Sequence, residues 1–470
     1  MSASAQRSKG RRPKVWTLQF WDDYWFYPAP LFNLAICRIA IVAFQVGYLI
    51  FRDNMSQMAS RATVPSVEFT PLPVFQALNV VFPWDLPPLA FMQIVFVVAL
   101  LSGVLSLVGF KTRFALPLFA LATLYIKTYI YSHGSYHHTE AILHIALFAL
   151  AFSPSGQAIS VDDFLRRKKN TLKRDHARHS ARAKLTLLNP LRGESAFARW
   201  PVMLVQWLFG ITYLSAAINK ILLDGEGLFG TVWMNGYTLQ SYFLADGTVR
   251  GSDLGIWLGH QHLLSVIFSW VAVIFEGTFF LTLLFPKLIW FFVPAAAMFH
   301  IGIFAAQRAD FFQYLALYAV FFPWTAIVKA IAHRLQKSSS HGHVFYSSLC
   351  PSCTRNASLL RYFNWFERLT FHPQTTFKEV TFSEVAPTAQ HRPLEGETLP
   401  STLYIPGDKL FLHARDDEAP SGFQRLRTAM KYVPPLWPIL LVMYLPGVNW
   451  FLPKHPSGNQ PSLSAKAPEL

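Results

Sequence analysis

Charge is scarce in this chain. Lys, Arg, Asp and Glu supply only 14% of the 470 residues, where soluble domains carry roughly 25%, and that shortfall excludes an ordinary, wholly soluble protein. Cysteine is scarcer still: three residues cannot build a disulfide-stapled scaffold. What is present instead is apolar. A hydrophobic content of 52%, with 16% aromatics, excludes disordered and collagen-like classes and points to a chain partly solvated by lipid. A compact apolar region with a small-residue cleavage site is also missing after the basic N-terminus, so no cleavable signal peptide is read. Trp16, Trp21, Tyr24, Trp25 and Tyr27 stand there instead, an aromatic segment suited to a membrane interface.

Crossing the hydrocarbon core takes roughly 20 apolar residues in a helix, because lipid offers no partner to a backbone N–H or C=O. The sequence predicts eight such spans, near 31–51, 89–110, 114–131, 137–153, 200–220, 262–285, 288–306 and 310–331. Lys and Arg concentrate in cytoplasmic loops, and the short loops alternate accordingly. Arg7, Lys9, Arg11, Arg12 and Lys14 precede the first span, Lys111 and Arg113 mark one turn, and 153–199 holds 11 Lys/Arg against 4 acids. On the other side, 52–88 has 2 against 3, 131–136 has none, and 221–255 has 1 against 4. Lys287 and the basic stretch after Lys329 continue the scheme, which sets both termini in the cytoplasm. The net charge of +15 is therefore read as topology and contact with anionic lipid, not as nucleic-acid binding.

The expected organisation is an all-α polytopic membrane bundle followed by a small α/β thioredoxin-like domain. An interfacial segment covers 1–30, the membrane domain 31–332, a linker with Ser338 to Ser340 and His341-Gly342-His343 covers 333–342, the second domain 343–452, and a tail rich in Pro, Ser and Lys 453–470.

Ionisable residues at membrane depth are costly and face a bundle interior or a cavity, so each is a site candidate. Arg38 lies in the first span, where it pairs with a neighbouring acid or carbonyl. Gln206, Tyr213 and Lys220 are seven apart, on one helix face. Lys220 either snorkels to the headgroups or is a buried lysine able to act as a base. His262, Ser269 and Glu276 repeat the spacing in the next span, and Glu276 calls for a partner such as Lys220 or Arg38. At the fourth span, His133, His137, His138, Glu140 and His144 gather; of these His137, Glu140 and His144 share a face at i, i+3 and i+7. Imidazole and carboxylate so placed suit a proton relay, contact with a quinone or headgroup, or metal ligation, although no specific metal motif is matched and no metal site is assigned. His300 adds a buried imidazole in the seventh span. Of these, His137, Glu140 and His144, Lys220, and His262 with Glu276 lie in the outer half of the bundle and suggest an outward-facing pocket.

Several of these stretches carry a resemblance. LFNLAICRIAIVAF, GFKTRFALPLFA, SYHHTEAILHIALFALAFSPSGQAISVD, YLSAAINKILLDG with TVWMNGYTL, and FHIGIFAAQRADFFQYLALYAVFFP resemble the HTTM (horizontally transferred transmembrane) domain family, relatives of the membrane part of vitamin K-dependent gamma-carboxylase. The resemblance implies that Lys220, after Tyr213 and Ala216, matches the lysine that deprotonates vitamin K hydroquinone, and that His300 matches a late-span histidine. His137 and His138 replace asparagines of the family motif. The carboxylase's large lumenal β-rich part has no counterpart after the last span, so the expectation is a pocket for a quinol-like or lipid-like molecule, with a quinone as cofactor, and not peptide carboxylation.

Cys350-Pro351-Ser352-Cys353 follows a short apolar run and precedes a helix-like stretch. A helix N-terminus stabilises a thiolate, so Cys350 can attack and Cys353 resolve a mixed disulfide with a protein thiol partner. Zinc held with His341, His343 and His372 is the competing reading, since Cys37 lies in a span, and two structural cysteines are another. HVFYSSLCPSCTRNASLL and GDKLFLHARDDEAPSGFQRLRTAMKYVPPLWPILLVMYLPGVNWF resemble the DCC family of thiol-disulfide oxidoreductases, except that Tyr346-Ser347-Ser348 stands where that family has Tyr-Asp-Gly. Together the expectation is a bacterial inner-membrane protein, a quinol- or lipid-linked redox or modifying enzyme with a cytoplasmic thiol domain. A non-catalytic maturation or export factor and a proton-coupled transporter are the alternatives.

Overall fold

A computed structural model describes residues 18–64, 68–134, 140–173, 188–222, 231–338, 342–347, 351–374, 409–411 and 422–444. The chain divides into two compact units, 1–176 with 190–328, and 177–189 with 329–470.

The first unit is helical, and among the described residues six helices are long and apolar enough to cross a bilayer: Leu31–Phe51, Leu89–Val108, Thr112–Tyr131, Ala196–Leu222, His262–Leu284 and Pro286–Gln307. This is the architecture of an integral membrane bundle. The eight spans expected differ from it in two places. Among the described residues of the stretch 137–153, the α-helix is Ala141–Ala151, about 16 Å at 1.5 Å per residue. The stretch 310–331 is a bent pair, Phe312–Phe321 and Trp324–Leu335, with 74° between the parts. Phe322, held extended before Pro323 (φ −93°, ψ 135°), cannot continue the helix. The helix after the break is capped from elsewhere: Thr325 donates its N–H and its hydroxyl to Asn33 Oδ1, both at 2.8 Å.

We number the elements used below as α1 Leu31–Phe51, α2 Leu89–Val108, α3 Thr112–Tyr131, α4 Ala141–Ala151, α5 Val161–Lys173, α6 Trp200–Leu222, α7 Tyr237–Arg250, α8 Asp253–Gly259, α9 His262–Phe279, α10 Ile289–Gln307 and α11 Phe312–Leu317. A three-residue turn joins α2 to α3. Gly109 ends α2 in the left-handed region (φ 73°), with Ser160 packed where a side chain would be. Asp162 of α5 then caps α3, accepting from the N–H groups of Lys111 and Thr112 at 2.9 and 2.8 Å. Arg38, fully buried in α1, reinforces the same end by donating to the carbonyls of Ser155 (2.9 Å) and Ile159 (2.6 Å). Two of its donors thus meet backbone carbonyls. The aromatic segment before α1 forms helix Leu18–Phe26 and is tied to the start of α6, where Arg199 donates to the carbonyl of Tyr24 and Trp207 to its hydroxyl. Trp16 lies outside the described residues.

At the opposite end, much of the stretch 221–255, expected as a loop, is helical. Residues 223–230 are not described, but α7 and α8 form a helical hairpin closed by Gly251 in the left-handed region (φ 70°). It docks on α10 through Ser252, whose hydroxyl caps α8 and donates to Ala305 O at 2.9 Å. Gly255 lies so close to Ala306 O that no side chain fits between them.

In the second unit three parallel strands, β1 Gly342–Ser347, β2 Leu369–Gln374 and β3 Lys409–Phe411, pair in the order β2-β1-β3. Helix α12, Pro351–Phe363, connects β1 to β2, and helix α13, Gly422–Met430, packs on the same core as Val344, Tyr346, Leu360, Phe371 and Leu188. Burial pushes the Tyr346 phenol up to about 12.

Arg38→Met removes the donor that two buried carbonyls share, a loss of about 3 kcal/mol. A lowered unfolding midpoint of the purified protein in detergent checks this, whereas an unchanged midpoint would show that the 155–159 segment is held by other contacts.

Candidate functional site

Helix α6 runs antiparallel to α9: Gly210 meets Leu283, and Ala217 lies against Gly277. This register sets Lys220, two residues from the end of α6, beside Glu276, well inside α9, and Lys220 Nζ reaches Glu276 Oε2 at 2.5 Å. The two side chains are 19% and 7% exposed. Lys220 therefore turns inward to a carboxylate instead of extending to the headgroups. Its ammonium also lies 5.1 Å from the ring centre of Trp233.

One turn pair deeper on the same face of α6, Tyr213 hydrogen-bonds His300 Nε2 of α10 at 2.9 Å and the Tyr318 hydroxyl at 2.7 Å. The rings of Phe275 and Phe279 pack on Tyr213, and Phe311 stacks on His300 at 5.1 Å. His300 Nδ1 is buried without a hydrogen-bond partner among the described residues, as are Ser265 Oγ, Ser269 Oγ and Trp233 Nε1. Gln206, first of the seven-residue series, donates to Val320 O at 2.8 Å.

A second polar centre lies at the same end of the bundle. Lys127, 15 residues past the start of α3, is buried between Asp53 and Glu140, with Nζ 2.6 Å from a carboxylate oxygen of each. Tyr48 donates to Glu140 Oε1 at 2.8 Å, and the Tyr48 and Tyr131 rings lie 4.7 and 5.2 Å from the ammonium. Burial pushes the Asp53 carboxyl above its ordinary range, with Lys127 pulling the other way. The segment before α11 approaches both centres, since Asp310 pairs with Arg52 and the next residue, Phe311, is the ring stacked on His300.

The sequence-predicted residues thus separate. Lys220 with Glu276, and Tyr213 with His300, are brought together. Glu140 joins Lys127, while His144 follows one turn later on α4, its Nδ1 3.1 Å from Glu140 O. His262 is not part of either group: its Nδ1 is 3.0 Å from Gln240 Oε1 and its ring packs on Tyr237. Arg38 lies at the other end of the bundle. His137, His138 and Cys350 lie outside the described residues, and Cys353 is described only as backbone in the first turn of α12. His343 Nδ1 and His372 Nε2 approach at 3.1 Å across β1 and β2, but no group of three metal-ligating side chains occurs among the described residues. Sequence reasoning missed Lys127, Asp53 and Tyr318. Lys127 carried the needed signal, a lone cation in the apolar run IKTYIY.

A cavity of about 700 Å3 lies at the other end, lined by Thr112, Arg113, Pro117, Phe152, Asp162, Arg166 and Phe197 among others. None of Lys220, Glu276, Tyr213 or His300 lines it, so the pocket expected at their end is not where this cavity lies.

Lys127→Met strands two buried carboxylates and costs about 3–5 kcal/mol of stability. The triple variant Lys127→Met/Asp53→Asn/Glu140→Gln recovers most of that. Denaturant unfolding of the three proteins checks the pair, and equal losses in single and triple variants would show that packing, not charge, is what Lys127 supplies.

Set against protein-family models, curated proteins and solved structures, the chain matches none of them.

Proposed function

We propose that the membrane unit is an acid–base site for a quinol-like molecule, of the kind found in the HTTM relatives of vitamin K-dependent carboxylase, with Lys220 as the base. The observation that carries the reading is the Lys220–Glu276 pair inside the bundle. Lys220 Nζ and Glu276 Oε2 are hydrogen-bonded, and a proton shared between them that rests on Glu276 leaves Lys220 as an amine. The amine so freed can accept a proton from a hydroquinone O–H, leaving the electron pair on the phenolate oxygen, while Glu276 holds the first proton. The Trp233 ring lies beside this pair, and Trp233 Nε1 and Ser269 Oγ are buried groups without partners among the described residues. These fit a flat ring carrying oxygen substituents. By the distribution of Lys and Arg, this end of the bundle faces outward from a bacterial inner membrane and both termini lie in the cytoplasm.

The second unit is read as a thioredoxin-like DCC domain, supported by a parallel β-α-β arrangement whose helix begins at the Cys-x-x-Cys. Transport coupled to protons is the second reading, and the Lys127–Asp53–Glu140 group favours it, since buried ionisable clusters serve as proton paths.

Menadiol titrated into purified protein is expected to show the phenolate absorption band at a pH where free menadiol does not. Lys220→Met should remove it; a band that persists in that variant would rule out Lys220 as the base. For the second unit, Cys353→Ser is expected to accumulate a mixed disulfide on Cys350 with a small disulfide reagent under conditions that trap a control thioredoxin. No adduct in that comparison would mean that the Ser347-Ser348 replacement has silenced the couple.

A further inference from the structure

We infer that the 700 Å3 cavity at the α2–α3 turn is a binding site for the phosphodiester headgroup of an anionic phospholipid. Its volume falls within the range of small-molecule sites. Its charged lining consists of Arg113, Arg166 and Asp162, an excess of one positive charge. Counting the adjacent ion pair of Arg167 with Asp163 leaves that excess unchanged.

The donors that remain are the right ones for an oxyanion. Asp162 spends both oxygens on Lys111 N, Thr112 N and Thr112 Oγ1, so the start of α3 is already capped. Arg166 uses Nη2 on Asp163 and Gln157 O and keeps its other nitrogens. Arg113 has no ion pair or hydrogen bond among the described residues. A guanidinium offers planar paired donors matched to phosphate oxygens. An ordinary phosphodiester carries one negative charge, equal to the excess.

The surroundings distinguish a lipid from a soluble anion. Phe152 and Phe197 line the cavity and are 75% and 62% exposed. From Arg113 an exposed apolar stripe, Phe114, Leu118 and Leu121, runs along α3 at i, i+4 and i+7, toward what the hydropathy of the helix makes the hydrocarbon core. A headgroup seated between Arg113 and Arg166 would lay its acyl chains on that stripe. The site shares no residue with Lys220 and Glu276, so it stands or falls apart from the quinol reading.

The test uses the full chain, delipidated in detergent and titrated with dioleoylphosphatidylglycerol or dioleoylphosphatidylcholine, with retained lipid read by native mass spectrometry. One phosphatidylglycerol should be retained, phosphatidylcholine at least about tenfold more weakly. Arg113→Gln/Arg166→Gln should reduce retention about tenfold or more. Phe152→Glu, which changes an exposed side chain and keeps both arginines, should do the same by repulsion and carries the test where the double variant fails to fold. Lys287→Gln, a basic residue elsewhere on the surface, should leave retention intact. Equal retention of both lipids, or undiminished retention in Phe152→Glu, overturns the inference. Displacement of the lipid by millimolar inorganic phosphate would instead assign the site to a soluble anion and overturn the lipid reading.

Discussion

A charge inside an apolar bundle must be compensated within the reach of its own side chain, because neither lipid nor apolar packing can screen it. Three cations in the membrane unit meet this constraint in three ways. Arg38 is satisfied by backbone carbonyls, which fixes the 155–159 segment against α1. Lys127 is held by two carboxylates from outside its own helix, Asp53 and Glu140, and so ties the ends of α1, α3 and α4 together. Lys220 has a single carboxylate, Glu276. The first two arrangements leave the cation fixed by several partners. The third leaves a one-to-one pair, and that difference is why Lys220 and not Lys127 is the better candidate for proton exchange.

The helical period made part of this legible. Residues seven apart share a face, so Gln206, Tyr213 and Lys220 were assignable to one stripe, and each does turn to a neighbouring element. The same period says nothing about what the face meets. His262 and Glu276 occupy one stripe of α9, yet the former packs on Gln240 and Tyr237 in the helical hairpin and the latter on α6. The antiparallel register of α6 and α9 decided that, set by close contacts such as Gly210 on Leu283, which no single-sequence pattern encodes. Lys127 was legible and overlooked: a run as apolar as its neighbours drew attention to span length instead of to its one cation. Asp53 was not legible, since an acid just past the end of a helix reads as solvated until tertiary structure folds Lys127 over it.

The spans themselves were read from length and hydropathy, and these succeed where a helix is continuous. They overestimate it where the chain stays apolar but turns. Pro323 was visible in sequence, but whether a proline kinks or ends a helix depends on what replaces the lost backbone bonds. Asn33 supplies the replacement by capping Thr325, and a 74° bend becomes affordable. The hairpin of α7 and α8 is the converse error. Its sequence is too polar for a span and reads as a loop, whereas Gly251 and Ser252 provide the turn and cap that two short helices need.

The two ends of the membrane unit are chemically unlike, and their difference constrains any mechanism. The end with Arg38, Asp162 and the α2–α3 turn is braced by side-chain-to-backbone bonds, with Asp163 ion-paired to Arg166 and Arg167 beside them, and carries the open cavity. The end with Lys127 and Lys220 is braced by ion pairs and buried aromatic rings. A ligand recognised by fixed shape and charge belongs at the first end, and chemistry that moves protons at the second. Asp310 and Phe311 join the two centres in space: one is ion-paired to Arg52 next to the Lys127 group and the other is stacked on His300.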